Sequence, residues 1–180
     1  NYKEDITTNT NSKDLDFILE LGSMCNDCKI NNKEVIGEPT ETAIVNFALK
    51  HGKNKNTLYS TMKRVNEIPF DSTRKMMSTI HKVGNKYRVI TKGAPDVILK
   101  RCSYIYNSSV NSLSYENEIS IQKINEKMAN DALRVIAISY KDLDYIPQNL
   151  ESNSIEKDLI FVGLFGMIDP PRPGVKEAIF

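Results

Sequence analysis

Apolar side chains recur along this chain at two periods, and the switches between them mark its elements. Leu15, Ile18, Leu19 and Gly22 fall at helical spacing after Ser12, a residue able to cap a helix, with Asp14 and Asp16 favourable in the first turn. Ala43, Ile44, Phe47 and Ala48 form a second helical stripe over residues 42–50, which His51-Gly52 closes. Residues 54–64 are basic and weakly amphipathic, with Leu58, Tyr59 and Met62 as the side expected to be buried. The pattern then becomes strand-like: residues 63–70 carry Val65 and Ile68, and runs over 76–83 and 87–92 read as a hairpin joined by Gly84-Asn85-Lys86.

Beyond the hairpin, Pro95 suits the first turn of a helix through Val97, Ile98, Leu99 and Cys102. Residues 104–114, rich in Asn and Ser, read as a loop or an edge excursion. Residues 114–131 are helical in pattern, with Ile119, Ile121, Ile124, Met128 and Ala129 as the apolar set, and residues 134–140 follow as a β-rich run. After a polar connection over 142–157, the continuous apolar run 159–167 predicts a buried strand that Asp169-Pro170-Pro171-Arg172 stops, since proline fixes φ and removes a backbone donor. Residues 1–11 are polar and lack periodicity. The expected fold is α+β (α/β): an antiparallel-dominated sheet flanked by helices.

Composition narrows the function classes. With 180 residues and 40% hydrophobic content the chain can build a proper core. Its net charge of +1, from 24 basic and 23 acidic residues, gives no reason to expect nucleic acid or an anionic membrane as partner. No apolar run approaches the ~20 residues of a membrane span, and the first residues lack a signal-peptide layout, so the piece itself is expected to be soluble. Three cysteines make no disulfide framework and favour a reducing compartment. Cys25-Asn26-Asp27-Cys28 has CxxC spacing, but no second pair follows and the histidines are only His51 and His81, so no metal site is expected.

Candidate chemistry gathers around Pro69-Phe70-Asp71-Ser72-Thr73-Arg74-Lys75-Met76-Met77-Ser78 and Thr91-Lys92-Gly93-Ala94-Pro95-Asp96. The hairpin between them carries Phe70 and Lys92 on neighbouring strands. A flat aromatic ring, a nearby lysine and a Gly-Ala pair where backbone can come close suit a purine nucleotide, whose base stacks on an aromatic face at about 1–3 kcal/mol. Taken singly, a phenylalanine is more often core than platform, and Lys75 or Lys92 more often a solvated charge.

These two stretches together resemble the paired signature of the nucleotide-binding domain of P-type ATPases, the ion pumps. Gly37-Glu38-Pro39-Thr40-Glu41-Thr42-Ala43, Ala132-Leu133-Arg134-Val135-Ile136-Ala137 and Gly163-Leu164-Phe165-Gly166-Met167-Ile168-Asp169-Pro170-Pro171-Arg172 extend the resemblance in the family's order, and the set looks most like the calcium-pump branch. The resemblance implies that Glu41 hydrogen-bonds the adenine amino group, Phe70 stacks on the base, and Lys75 and Lys92 line the pocket. Met77, Gly93 and Ala94 belong to the same implied site, Ile136 closes its apolar wall, and Arg134 reaches the ribose-phosphate region. On spacing alone Arg134 could equally pair with a neighbour such as Asp131. Ser72 stands where calcium pumps commonly carry an arginine that meets the phosphate tail. Cys25 is implied to be a structural thiol.

The resemblance also implies organisation: residues 1–168 as the nucleotide domain, and Asp169, Pro170, Pro171 and Arg172 as the hinge opening a truncated phosphorylation domain over 169–180. The pumps' Asp-Lys-Thr-Gly-Thr and Thr-Gly-Asp motifs do not occur in this sequence, and neither does the GxxxxGK(S/T) phosphate loop of a self-sufficient hydrolase or kinase. The expectation is therefore a cytoplasmic domain of an integral membrane protein that binds ATP, as Mg-ATP in the parent, and presents its γ-phosphate to an aspartate elsewhere. No catalytic residue and no metal ligand is expected here, nor direct membrane contact; the partners are adenine nucleotide and the phosphorylation and actuator domains of the parent chain. The alternatives are the same fold as a protein-interaction module, or a pump for another cation.

Overall fold

A computed structural model describes residues 12–32 and 34–168. In chain order the elements are α1 (Ser12–Met24), β1 (Lys29–Asn31), β2 (Glu34–Ile36), α2 (Pro39–Lys50), α3 (Lys55–Thr61), β3 (Lys63–Asp71), β4 (Met76–Val83), β5 (Lys86–Gly93), α4 (Pro95–Leu99), β6 (Cys102–Asn107), β7 (Ser109–Ser112), α5 (Tyr115–Asn130), β8 (Leu133–Leu143), α6 (Ser152–Ile155) and β9 (Leu159–Ile168). β1 and β2 form a small hairpin, and the other strands make one seven-stranded sheet in the order β3-β4-β5-β8-β9-β6-β7.

The register explains how one sheet serves two cores. Met77, Lys92, Ile138 and Gly163 are successive cross-strand partners on β4, β5, β8 and β9. Side chains alternate along a strand, so this row defines a first face and the adjacent row Met76–Gly93–Ala137–Leu164 a second. On the first face, Leu19, Leu21 and Met24 of α1 and Ala48 of α2 pack with Met77, Ile90 and Ile138. On the second, Ile98 and Leu99 of α4 and Ile121 of α5 pack with Met76, Ala137 and Phe161, while Ile155 joins Ile80 and Val89. Each such aliphatic side chain contributes about 1.5–3 kcal/mol on burial.

Local chemistry sets the boundaries. Pro39 occupies the first turn of α2, where its missing N–H costs nothing, and His51 with Gly52 at φ 77° ends it. Ser114 and Asn117 form a reciprocal capping box on α5. Ser12 already lies within α1, so its expected cap position falls outside the described residues.

Five expectations change. The helix after Pro95 stops at Leu99, and Cys102, expected within it, opens β6. Residues 104–114 hold strand structure: β6 pairs antiparallel with β7 and parallel with β9, so the sheet is antiparallel-dominated but mixed. β9 is not continuously buried; Leu159 and Phe161 are, while Gly166 and Ile168 are exposed. Ile124 and Ala129 on α5 are exposed, since this helix packs along one narrow edge and fully buries only Ile121. Tyr59 is also exposed, because the short α3 rests on Leu58 and Met62. The hinge residues Asp169, Pro170, Pro171 and Arg172, like residues 1–11, lie outside the described residues.

Candidate functional site

Lys92 is central to the first face. It sits on β5 between β4 and β8, is 6% exposed, and its ammonium donates to Glu41 Oε1 at 2.6 Å. Glu41 reaches it from the first turn of α2, where the helix dipole favours a carboxylate. The other oxygen, Oε2, accepts the main-chain N–H of Asp27 at 3.1 Å. One residue earlier, Thr40 Oγ1 accepts from the Arg134 guanidinium at 3.0 Å. Arg134, Ile136 and Ile138 alternate along β8 on this same face, with Ile136 half-buried against the first core.

The turn from β3 to β4 is built for its shape. Asp71 Oδ1 accepts the N–H groups of Thr73 at 2.9 Å and Arg74 at 2.8 Å, and Lys75 N–H returns to the Asp71 carbonyl at 2.7 Å. Lys75 takes φ 54°, and its carbonyl accepts the Ala94 N–H at 3.0 Å. Gly93 is required by that crossing: a Cβ there would lie 2.4 Å from the Lys75 carbonyl oxygen and 2.7 Å from Met76 Cβ. The side chain missing at Gly93 thus makes room for the protein's own backbone. Phe70 lies at the end of β3 within the register shift between Ile68 and Asp71, and β4 separates it from Lys92 on β5, so the two are not on the neighbouring strands expected. The Phe70 ring is 62% exposed.

The structure thus brings several candidates together. Glu41 and Lys92 touch, Met77 and Lys92 are register partners, and Lys75, Gly93 and Ala94 are locked by one crossing. Met77 is 4% exposed and belongs to the core beneath the row. Ser72 and Lys75 are exposed on the turn.

Arg74, in the middle of the same motif, goes the other way. Its guanidinium pairs with Glu156, which is fully buried, and also donates to the Pro69 carbonyl at 2.7 Å. Ser78 Oγ donates to the same carboxylate at 2.8 Å and lies 2.8 Å from Thr91 Oγ1.

The cysteines are held as thiols. Cys25 is buried and its Sγ donates to the Ile90 carbonyl at 3.4 Å; burial raises its pKa. Burial also pushes Cys28 up to about 11, with Gly37 lying directly over its sulfur. Among the described residues no group of three or more His, Cys, Asp or Glu side chains could hold a metal ion. A groove of about 360 Å³ lined by Pro95, Leu99, Cys102, Glu118 and Ile121 opens between α4 and α5, on the second face, and contains none of the candidate residues. No helix among the described residues is long and apolar enough to cross a membrane.

Sequence reasoning missed the support beneath Glu41: Asn26, Asp27, Lys55 and Arg64. The polar Asn26-Asp27 pair between two apolar thiols was the only local signal for it; nothing around Lys55 marks it out.

Residues 14–174 match the family described as P-type ATPase, cytoplasmic domain N. Among curated proteins, the chain is 39% identical to "Calcium-transporting ATPase 1" of Bacillus cereus over 95% of its length, covering 19% of that protein. It is 37% identical to "Calcium-transporting ATPase lmo0841" of Listeria monocytogenes over 90% of the chain and 18% of the relative. It is 38% identical to "Calcium-transporting ATPase" of Bacillus subtilis over 93% of the chain and 19% of the relative. The chain therefore spans about a fifth of the length of these relatives. The ordered motifs, the sheet that carries them and a match across most of the chain agree: the chain belongs to the P-type ATPase cytoplasmic domain N family.

Proposed function

We propose that this domain binds adenine nucleotide on the first face of its sheet and presents the γ-phosphate to a catalytic aspartate on another domain of a P-type, calcium-transporting ATPase. The observation that carries the reading is Phe70: a large apolar ring left 62% exposed at the end of β3, whose neighbour β4 pairs Met77 with Lys92, the partner of Glu41. The core does not use that ring, and its exposed surface suits a planar base. Glu41 keeps lone pairs beyond those used by Lys92 and Asp27, so it can also accept from an exocyclic amino group.

In this reading Lys75, Ser72 and Arg134 lie on the exposed side, where the ribose and phosphates extend; Gly93 and Ala94 fix the turn, and Met77 and Ile136 back the base. The phosphoryl group passes from ATP to the aspartate carboxylate of the phosphorylation domain, and ADP leaves. Magnesium accompanies the phosphates in the parent and is not held by this domain. The contribution of this chain is positioning, with residues 169–172 as the hinge between residues 1–168 and the phosphorylation domain. The calcium assignment rests on the names of the relatives, several of which are calcium-transporting and one of which is a "Cation-transporting ATPase".

Calorimetric titration of the chain with ATP and ADP tests the proposal. Binding should be weak, similar for the two nucleotides and nearly independent of magnesium. Phe70→Ala should lose about tenfold to a hundredfold in affinity, the equivalent of ~1–3 kcal/mol of stacking, with an unchanged melt. Normal ATP binding by a Phe70→Ala protein that melts far earlier would sink the assignment.

A further inference from the structure

Glu41 is the first-face group most dependent on orientation, and its orientation is set from outside its own motif. The Asn26–Cys28 turn lies against the start of α2 through two direct bonds. Asn26, 1% exposed, donates its Nδ2 to the Glu41 main-chain carbonyl at 3.0 Å and accepts the Cys28 N–H on Oδ1 at 2.8 Å. Asp27 then aims its N–H at Glu41 Oε2. This turn is gripped from the far side by Lys55, whose ammonium donates to the carbonyls of both Asn26 and Cys28, the latter at 2.8 Å. Arg64 holds the Asp27 carboxylate at 2.7 Å.

We infer that Lys55 is a positioning residue for adenine recognition: by clamping the Asn26–Cys28 turn it keeps the Asp27 N–H on one oxygen of Glu41. A carboxylate offers about four lone-pair sites. With Asp27 on Oε2 and Lys92 on Oε1, the plane of the group is fixed and a lone pair is left for a ligand donor. Released from Asp27, the carboxylate can rotate and turn both oxygens to Lys92, whose ammonium is otherwise nearly buried. The acceptor offered to the base is then lost, while Phe70 and Lys92 stay in place. The inference rests on the nucleotide reading proposed above and names what tunes its base specificity.

The test uses ATP and inosine triphosphate, which differ only at C6 and the adjoining ring nitrogen, where adenine offers an amino donor and hypoxanthine a carbonyl. Affinities for both are measured on the 180-residue chain and its variants, with a thermal melt for each. The native chain should prefer ATP, and Glu41→Ala should abolish the preference. Lys55→Met should lower the ATP-over-inosine-triphosphate ratio roughly tenfold, the worth of one charge-assisted hydrogen bond, and Lys55→Arg, which can still reach two carbonyls, should restore most of it. Asn26→Ala, which loosens the same turn without touching Lys55, should lower the ratio in the same direction. A lower melting temperature with the native ratio in both Lys55→Met and Asn26→Ala overturns the inference and leaves these residues as ordinary scaffolding. Failure of the native chain to bind ATP instead defeats the nucleotide reading itself. ATP binding without base preference in the native chain overturns the assignment of Glu41, and this inference with it.

Discussion

Two carboxylates flank the same pair of motifs on opposite faces of the sheet, and they are used in opposite ways. Glu156 is fully buried and receives the Arg74 guanidinium and the Ser78 hydroxyl, with Arg101 donating to its main-chain carbonyl at 3.3 Å. Glu41 keeps 14% of its side chain exposed and takes one ammonium and one N–H. A buried charge surrounded by donors ties elements together, here the β3–β4 turn to the segment before β9. A carboxylate at the rim with acceptor capacity left over is a place where something else can bind. Reading both motif cations, Arg74 and Lys92, as ligand-facing would have missed this. Arg74 holds the Pro69 carbonyl, and so sets the chain just before Phe70 from behind.

The largest expected effect breaks the structural half of the contrast. Glu156→Ala leaves the half-buried Arg74 guanidinium and the buried Ser78 hydroxyl without their carboxylate, and losing one partner of such a pair costs up to about 3–5 kcal/mol. Urea melts should show a loss of that size, while ATP affinity of the protein that remains folded changes little. A loss below about 1 kcal/mol would mean that the buried pair is not structural at all.

A smaller effect separates the faces by pH. His81 is fully buried on the first face, with Nδ1 3.0 Å from the Met62 carbonyl and Nε2 2.8 Å from Thr79 Oγ1. Burial lowers its pKa from 6.5 to about 4. The folded state therefore favours the neutral ring, whereas the unfolded chain takes up a proton near pH 6.5. Stability from this residue is complete above about pH 6.5 and falls by up to ~3 kcal/mol as pH drops towards 4. Melts across that range should slope downward for the native protein and flatten for His81→Gln; an equal slope in both would remove the histidine from the account.

The smallest effect sharpens the binding half. Ser72 is exposed on the β3–β4 turn, and Ser72→Arg places a guanidinium on the proposed phosphate side. Exposed ion pairs contribute about 0.2–1 kcal/mol, so affinity for ATP should rise by up to about fivefold at low salt and return towards the native value at high salt. A gain that ignores ionic strength would point away from a phosphate contact.

Much of this arrangement was legible beforehand, for definite reasons. The hairpin of β4 and β5 and the start of α5 follow from periodicity and turn residues that act within a few positions; on α2 the expected stripe holds at Ile44 and Ala48, while Ala43 is exposed and Val45 is buried in its stead. Glu41, Phe70 and Lys92 stand out because their motifs are local strings. What escaped notice was non-local or unpatterned. β6 lies in a stretch full of Asn and Ser and is held as a strand by its neighbours β7 and β9. Lys55 sits in a polar segment that gives no hint of the carbonyls it reaches.

The sequence by itself determined most of the element types, the order of the motifs and the candidate residues for a nucleotide, because propensity, capping and spacing are written into neighbouring residues. Tertiary structure decided which charge serves the fold and which faces outward. Alternation sends Lys92 to one face and Ser78 to the other, and only the assembled sheet brings Glu41 to the first and Glu156 to the second. A carboxylate's role depends on how many donors surround it and how much water it keeps, and those are properties of packing between residues far apart in the chain.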